Sequence, residues 1–422
     1  MIFKTLIYTI MEDRLKTVDA PQYLTGNEAS NRQGNEIKNN LKPYKAVFPG
    51  KYIQGENALL ALPELVNLLG KKGLLLASPT VISKILPQYN LKDSGATISI
   101  EEFRGECCEK ELQRLAEIIT REKVDVVIGM GGGKTIDTAK IISDRGGIPV
   151  IVVPTIASTD APCSGCAVIY SNSGIFESVY YQKMNPQVVL VDMNIIAAAP
   201  PRFLVSGMGD ALATWFEARS CDRTQSTNEC GGLSTMTGLN LARLCYDSLL
   251  RYGSAAKISN ENNIVTPVLH HIVEANILLS GIGFESSGLA AAHSIHNGLT
   301  ALEETHQFFH GEKVAFGVLT GLHLTDAHPE EIATVYSFCE EIGLPTTFAD
   351  IGLKETTKSK LMEAAIKACD PKEGIHHEAG NITPEKVLNA MIAADAMGKA
   401  RKARKLLSSY ENNRELLNRG NH

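Results

Sequence analysis

From about residue 58 to residue 155, short apolar runs alternate with amphipathic stretches, and few folds accommodate that rhythm. KGLLLAS (72–78), ATISIEEF (96–103), VDVVIG (124–129) and IPVIVVPT (148–155) are dominated by Val, Ile and Leu, and each reads as a strand. Between them, ALLALPELVNLLG (58–70), TVISKILPQY (80–89), KELQRLAEIITREK (110–123) and KTIDTAKIISDR (134–145) read as helices. Near-continuous apolar strands separated by helices predict a parallel sheet covered on both faces. A hairpin is predicted at 167–182, where two β-rich runs flank a Ser-Asn-Ser-Gly turn, and a further strand at PQVVLVDM (186–193).

After AAAPPR (197–202) the strand signal fades and helical periodicity takes over to the C-terminus. The 422 residues therefore divide into a polar N-terminal lead-in (1–44), an α/β domain (45–200) and an all-α domain (201–422). The first ten residues are apolar but too short to span a bilayer, and Glu12 and Asp13 that follow do not suit a mitochondrial presequence. A net charge of −6, with no long Lys/Arg run, argues against a nucleic-acid surface. GKARKARK (398–405) reads as the solvated face of a helix. Nine cysteines, an odd number without a framework spacing, indicate a reducing compartment, and a cytoplasmic location is expected. Cys163 and Cys166 have CxxC spacing but no second pair, so ordinary buried thiols are the expectation there, as at Cys107 and Cys108.

Four of the five residues at 129–133 are glycine, in GMGGGKTIDTAK (129–140). A nucleoside-triphosphate P-loop would need glycine where Ile128 stands, and G-x-G-x-x-G would need it where Lys134 stands. The run nevertheless joins a strand to a helix. Its backbone admits close approach of an anion, and the helix N-terminus offers free N–H groups and a positive dipole end. Gly131, Gly132, Gly133 and Lys134 therefore predict a pyrophosphate site. VVPTIASTDAP (152–162) leaves another strand end and faces the same crevice.

Histidines concentrate in the helical half. His293 and His296 are spaced i,i+3, and His306 and His310 i,i+4. Imidazoles grouped this way can meet a divalent cation. GMGDALATWFEAR (207–219) supplies Asp210 and Glu217 as carboxylates. The pattern alone does not choose between the members of each pair.

Several stretches together resemble the glycerol dehydrogenases of the iron-containing alcohol dehydrogenase superfamily: FPGKYIQGENAL (48–59), FRGECC (103–108), the glycine loop, PTIASTDAPCSGCAVIY (154–170), NPQVVLVDMNIIAAAPPRFLVSGMGDALATWFEAR (185–219) and HSIHNGLTALEETHQFFHGEKVAFG (293–317). The likeness covers about residues 45–410. It implies a Rossmann-like NAD domain, a helical metal domain of the dehydroquinate synthase-like kind, an active site between them, a homo-oligomer, and oxidation of glycerol and related vicinal diols. It implies Asp210, His293 and His310 as metal ligands, with His296 and His306 in supporting roles. Asp160 matches a residue that contacts substrate. Gly131 to Lys134, Asp137, Thr155, Ser158, Ser164, Cys166 and Tyr170 correspond to the cofactor site.

Iron-binding members carry a further histidine one turn after the aspartate, where this chain has Thr214. Three ligands and an open position suit zinc, with iron and manganese as alternatives. Two departures stand out. LLLASPT (74–80) ends without the acid that holds the adenosine ribose, which bears on NAD against NADP, and the family's CSAL is Cys163-Ser164-Gly165-Cys166 here. The rival readings are an sn-glycerol-1-phosphate dehydrogenase-like enzyme, a non-catalytic nucleotide- or metal-binding relative, and a P-loop NTPase.

Overall fold

A computed structural model describes residues 42–91 and 95–419, with side chains to residue 407. The expected lead-in therefore lies outside the described residues except for 42–44. There Tyr44, the last residue of the expected lead-in, forms an isolated bridge with Leu233.

Six parallel strands form the main sheet: β1 (Tyr52–Gly55), β2 (Lys72–Ala77), β3 (Thr97–Glu102), β4 (Val126–Gly131), β5 (Val150–Pro154) and β8 (Val188–Asp192), in the order β1-β8-β5-β4-β2-β3. β4, β5 and β8 are buried along their whole length, as the unbroken apolar runs require. β6 (Cys166–Tyr170) and β7 (Phe176–Tyr181) pair antiparallel as the expected hairpin. β1 is a strand the sequence reading missed. Its four residues are too few to show a period, and only pairing with β8 makes them a strand.

Alternate side chains of the strands enter two apolar clusters, one on each sheet face. Leu75, Val126, Ile128, Val153 and Leu190 pack with Leu59, Leu62 and Val66 of the segment ending in α1 (Leu62–Leu69). Leu74, Leu76, Val127, Val152 and Val191 face the other way, onto Leu112 and Leu115 of α2 (Glu109–Glu122) and Ile136 and Ala139 of α3 (Gly133–Gly146). The stretch 80–89, expected as a short helix, is helical from Val81 to Gln88, a π turn (Val81–Ile85) running into a 3-10 turn (Leu86–Gln88).

Beyond Pro200 the regular elements are helical: α4 (Pro201–Thr224), α5 (Met236–Glu261), α6 (Pro267–Glu274), α7 (Ser280–Ser287), α8 (Ala291–Leu299), α9 (His310–Leu324), α10 (Pro329–Ile342), α11 (Lys358–Ala368) and α12 (Pro384–Arg419). The second sheet-face cluster continues without a break into this half, through Leu212, Phe316 and Leu388. No described helix is long and apolar enough to cross a membrane. All nine cysteines are free, and burial pushes the Cys107 thiol up to about 12.

Candidate active site

β2 and β3 lie to one side of the junction with β4, and β5 and β8 to the other, so the chain reverses direction across the sheet between β2 and β4. Ligands of open α/β sheets bind at such a point, beyond the strand C-termini. Ala77 of β2 pairs with Met130, and Gly131 with Pro154, which sets the ends of β2, β4 and β5 along one edge.

The glycines at this edge divide their work. A Cβ on Gly129 would lie 2.5 Å from the Cβ of Ala139, and one on Gly131 would lie 2.8 Å from the Thr135 hydroxyl. Both let α3 approach β4. A Cβ on Gly133 would meet nothing within 4 Å, so Gly133 opens the loop to a ligand. Intrahelical bonding begins with Thr135 donating to the Gly132 carbonyl, leaving the earlier N–H groups at the helix start available to an anion. Lys134 lies beside this point, paired with Glu106 at 2.6 Å and 4.9 Å from the centre of the Tyr170 ring. Burial, with the nearby Asp137 and Glu106 charges, raises the Tyr170 hydroxyl to about 12.

The remaining expected cofactor positions separate. Thr155 donates its N–H to Gly131 and Ile156 flanks Gly132, so the loop after β5 runs directly past the glycines. Asp137 faces the hairpin, accepting from the Val168 N–H at 3.0 Å. The Ser164 hydroxyl bonds to the carbonyl of Ala161 at 3.2 Å, and the Cys166 carbonyl accepts from Lys140. The Ser158 carbonyl accepts from the Ser206 hydroxyl at 3.4 Å. Ser78 follows β2 with its N–H on the Met130 carbonyl at 3.4 Å, and no acid stands at that strand end.

Asp210, His293 and His310 come together from three helices, their ligand atoms all within 4.8 Å of one another. Glycine makes this approach possible. A Cβ on Gly209 would fall onto the Gly311 carbonyl, and one on Gly207 onto the Ala157 carbonyl. The backbone of α4 can therefore touch both the start of α9, which carries His310, and the loop after β5, which carries Asp160. The Asp160 N–H donates to Asp210 Oδ2 at 3.2 Å. Asp160 lies five positions after Thr155, a span of at most ~18 Å, so one loop connects the glycine site to this cluster.

The geometry fits a cation. His293 Nε2 and His310 Nε2 lie 3.3 and 3.0 Å from Asp210 Oδ1, yet that buried oxygen makes no hydrogen bond. Two imidazole nitrogens thus stand around one buried carboxylate oxygen. Each imidazole is oriented from behind. His293 Nδ1 bonds Glu217 Oε2 at 2.6 Å, and Glu217 also accepts from the His293 and Ala290 N–H groups. His310 Nδ1 lies 3.0 Å from His296 Nε2; His296 Nδ1 bonds Asn297, which donates to Glu373. Both chains place the proton on Nδ1 of the ligand ring and leave the Nε2 lone pair for the cation.

The electrostatics agree. Burial, and then the Asp210 charge, push the Asp160 carboxyl well above its usual range. Burial also opposes ionisation of Asp210, but His310 and His293 outweigh it and hold that carboxyl low. Burial works against a charged His293, and Glu217 and Asp210 overcome it and raise the ring. Acids crowded and buried in this way favour positive charge among them. His306 is exposed, with its Nε2 on the Thr300 carbonyl at 3.0 Å, outside the cluster. Thr214 is turned to Ser280 at 2.9 Å, and Ser280 donates to Asp160 at 2.9 Å. Neither Glu217's support of His293 nor the Ser280 contact was read from the sequence. The i,i+7 spacing of Asp210 and Glu217 on one helix face was the available signal for Glu217.

The iron-containing alcohol dehydrogenase family matches residues 49–193. A glycerol dehydrogenase of Thermotoga maritima is 52% identical over 84% of this chain and 98% of its own length. A glycolaldehyde reductase of Halobacterium salinarum is 43% identical over 83% of this chain and 97% of its own. The crystal structure of a probable glycerol dehydrogenase from Sinorhizobium meliloti superposes with a TM-score of 0.80 at 42% identity, covering 84% of this chain and 99% of that one. With three candidate metal ligands gathered in the helices, a glycine loop at the sheet edge and near-full-length likeness of this order, the chain belongs to the glycerol dehydrogenases of the iron-containing alcohol dehydrogenase family.

Proposed function

We propose that this protein oxidises glycerol to dihydroxyacetone, with NAD held by the α/β part (45–200) and a zinc ion held by the helical part (201–422). The observation that carries the reading is the buried, unbonded Asp210 Oδ1 facing two oriented imidazoles, beside Asp160 and one loop from the glycine site. A divalent ion bound there would serve as a Lewis acid that acidifies a coordinated alcohol. Asp210, His293 and His310 would hold it, and the engaged Thr214 leaves a three-ligand set of the catalytic zinc type.

Asp160, anchored by Ser280, is placed to accept a hydrogen bond from a substrate hydroxyl. Gly133 and the start of α3 hold the cofactor pyrophosphate. The loop from 155 to 160 keeps the reacting carbon and the nicotinamide in near-attack range. Bound NAD would supply the hydride acceptor, and the hydroxyl proton would be released to solvent, so that glycerol and NAD give dihydroxyacetone, NADH and one proton. A homo-oligomer and a cytoplasmic setting belong to the same reading; nine free cysteines support the latter.

The test is NADH formation from glycerol before and after chelation, with zinc, iron or manganese added back singly. Loss to chelator and recovery with zinc supports the reading. Recovery with iron alone changes the metal. Inactivity of every loaded form with NAD or NADP sinks it. Reduction of glycolaldehyde by NADH tests the reverse direction.

A further inference from the structure

The segment between β5 and β6 carries Asp160 but has no ladder of its own, and buried side chains from other elements hold its backbone. Lys140 on α3 donates to the Ala161 carbonyl at 2.9 Å and to the Cys166 carbonyl, and lies 3.4 Å from the Ser164 hydroxyl. Asn185 donates to the Cys163 carbonyl at 3.0 Å. From the helical side, Glu285 on α7 accepts from the Gly165 N–H at 2.8 Å and from Asn185 at 2.6 Å.

Lys140 is the unusual member. Its side chain is 0% exposed, and its closest carboxylate, Asp137, is 3.9 Å away. An ammonium withdrawn from water is costly unless its donors are met. A methionine would fill similar volume without that cost. What only an ammonium supplies is several donors converging on loop oxygens that would otherwise lose a partner. Lys140 also shares α3 with Gly133 and Lys134, less than two turns away. One rigid helix thus presents its N-terminus to the cofactor site and its lysine to the loop bearing Asp160.

We propose that Lys140 is a positioning residue for hydride transfer: it clamps the 161–166 backbone to the cofactor helix and so fixes Asp160 relative to the bound nicotinamide. The proposal rests on the dehydrogenase reading above. The test compares wild type with Lys140→Met and Asn185→Leu. Steady-state kinetics with glycerol and NAD, calorimetric NAD binding, bound metal content and amide hydrogen exchange are measured on each.

For Lys140→Met the expectation is a kcat lower by about tenfold or more, since a displacement near 1 Å costs about that much or more. NAD affinity should stay within about threefold and metal content unchanged. Exchange should quicken in 160–168 and not along α3. A quickened loop with wild-type kcat would overturn the proposal, as would parallel loss of NAD binding and metal. If Lys140→Met does not accumulate folded, Asn185→Leu decides by the same criteria, because it removes a partner from the same loop. A loaded wild type inactive with glycerol overturns the underlying reading, and the proposal with it; an active wild type with unaffected variants overturns the proposal alone.

Discussion

Glu217 does its work through another residue. It accepts hydrogen bonds from Nδ1–H of His293 and from two backbone N–H groups at the start of α8, so one carboxylate sets both the ring and the helix that carries it. Glu217→Gln preserves size and part of the bonding but removes the charge that favours this tautomer. Partners of this kind are worth about 10–100-fold in metal affinity. Chelator competition on Glu217→Gln should show a loss in that range, with NAD binding unchanged. The glycine run offers a second contrast. Gly129→Ala forces a Cβ to 2.5 Å from Ala139 and should cost about 1–3 kcal/mol in urea unfolding. Gly133→Ala meets open space, so its stability should equal that of wild type while NAD binding weakens at least about tenfold. Equal effects of the two substitutions would refute that division.

Elements are held where the chain supplies local partners. Asp350 accepts the N–H groups of Thr346 and Thr347 at 3.0 Å, closing the cap of the short Phe348–Ile351 helix, and pairs with Lys402 of α12. Burial opposes its ionisation, but Lys402, the Thr346 N–H and the Thr347 hydroxyl outweigh it, so the folded carboxyl titrates below the ordinary value. For a depressed acid the stabilisation is present above the unfolded pKa near ~3.9 and is lost as pH falls through the lower folded value. Asp350→Ala should therefore cost about 1 kcal/mol at neutral pH. The deficit should shrink below about pH 4. A deficit independent of pH would assign the contribution to neutral hydrogen bonds. In the basic stretch near the C-terminus, on α12, Arg401 pairs with Glu340 and Lys402 with Asp350.

At the scale of the molecule, one apolar cluster joins the strands to the helices, from Leu76 through Leu212 to Leu388. A boundary near residue 200 separates strand-rich from helical sequence, but the core crosses it. Unfolding of the two halves is expected to coincide. Trp215, the chain's single tryptophan, packs against this cluster from α4 and reports on the helical half, while strand circular dichroism reports on the other. Two distinct urea midpoints would contradict the shared core.

What the sequence determined by itself was whatever depends on neighbours along the chain. Runs of Val, Ile and Leu made β4, β5 and β8 legible, because a strand buried on both faces needs no alternation. The Ser-Asn-Ser-Gly turn disclosed the hairpin, and the clustered histidines disclosed a metal chemistry. Periodicity alone could not choose His310 over His306, which the resemblance did; the structure shows the physical difference, an exposed ring on the Thr300 carbonyl against one facing Asp210. The tertiary structure alone decided β1, because four residues become a strand only beside β8. It also decided which side chains stand behind the site: Glu217, His296, Ser280 and Lys140 bond to residues 14 to 120 positions away. Glycine backbones at 207, 209 and 311 let α4, α9 and the loop after β5 touch, and no local pattern records that approach.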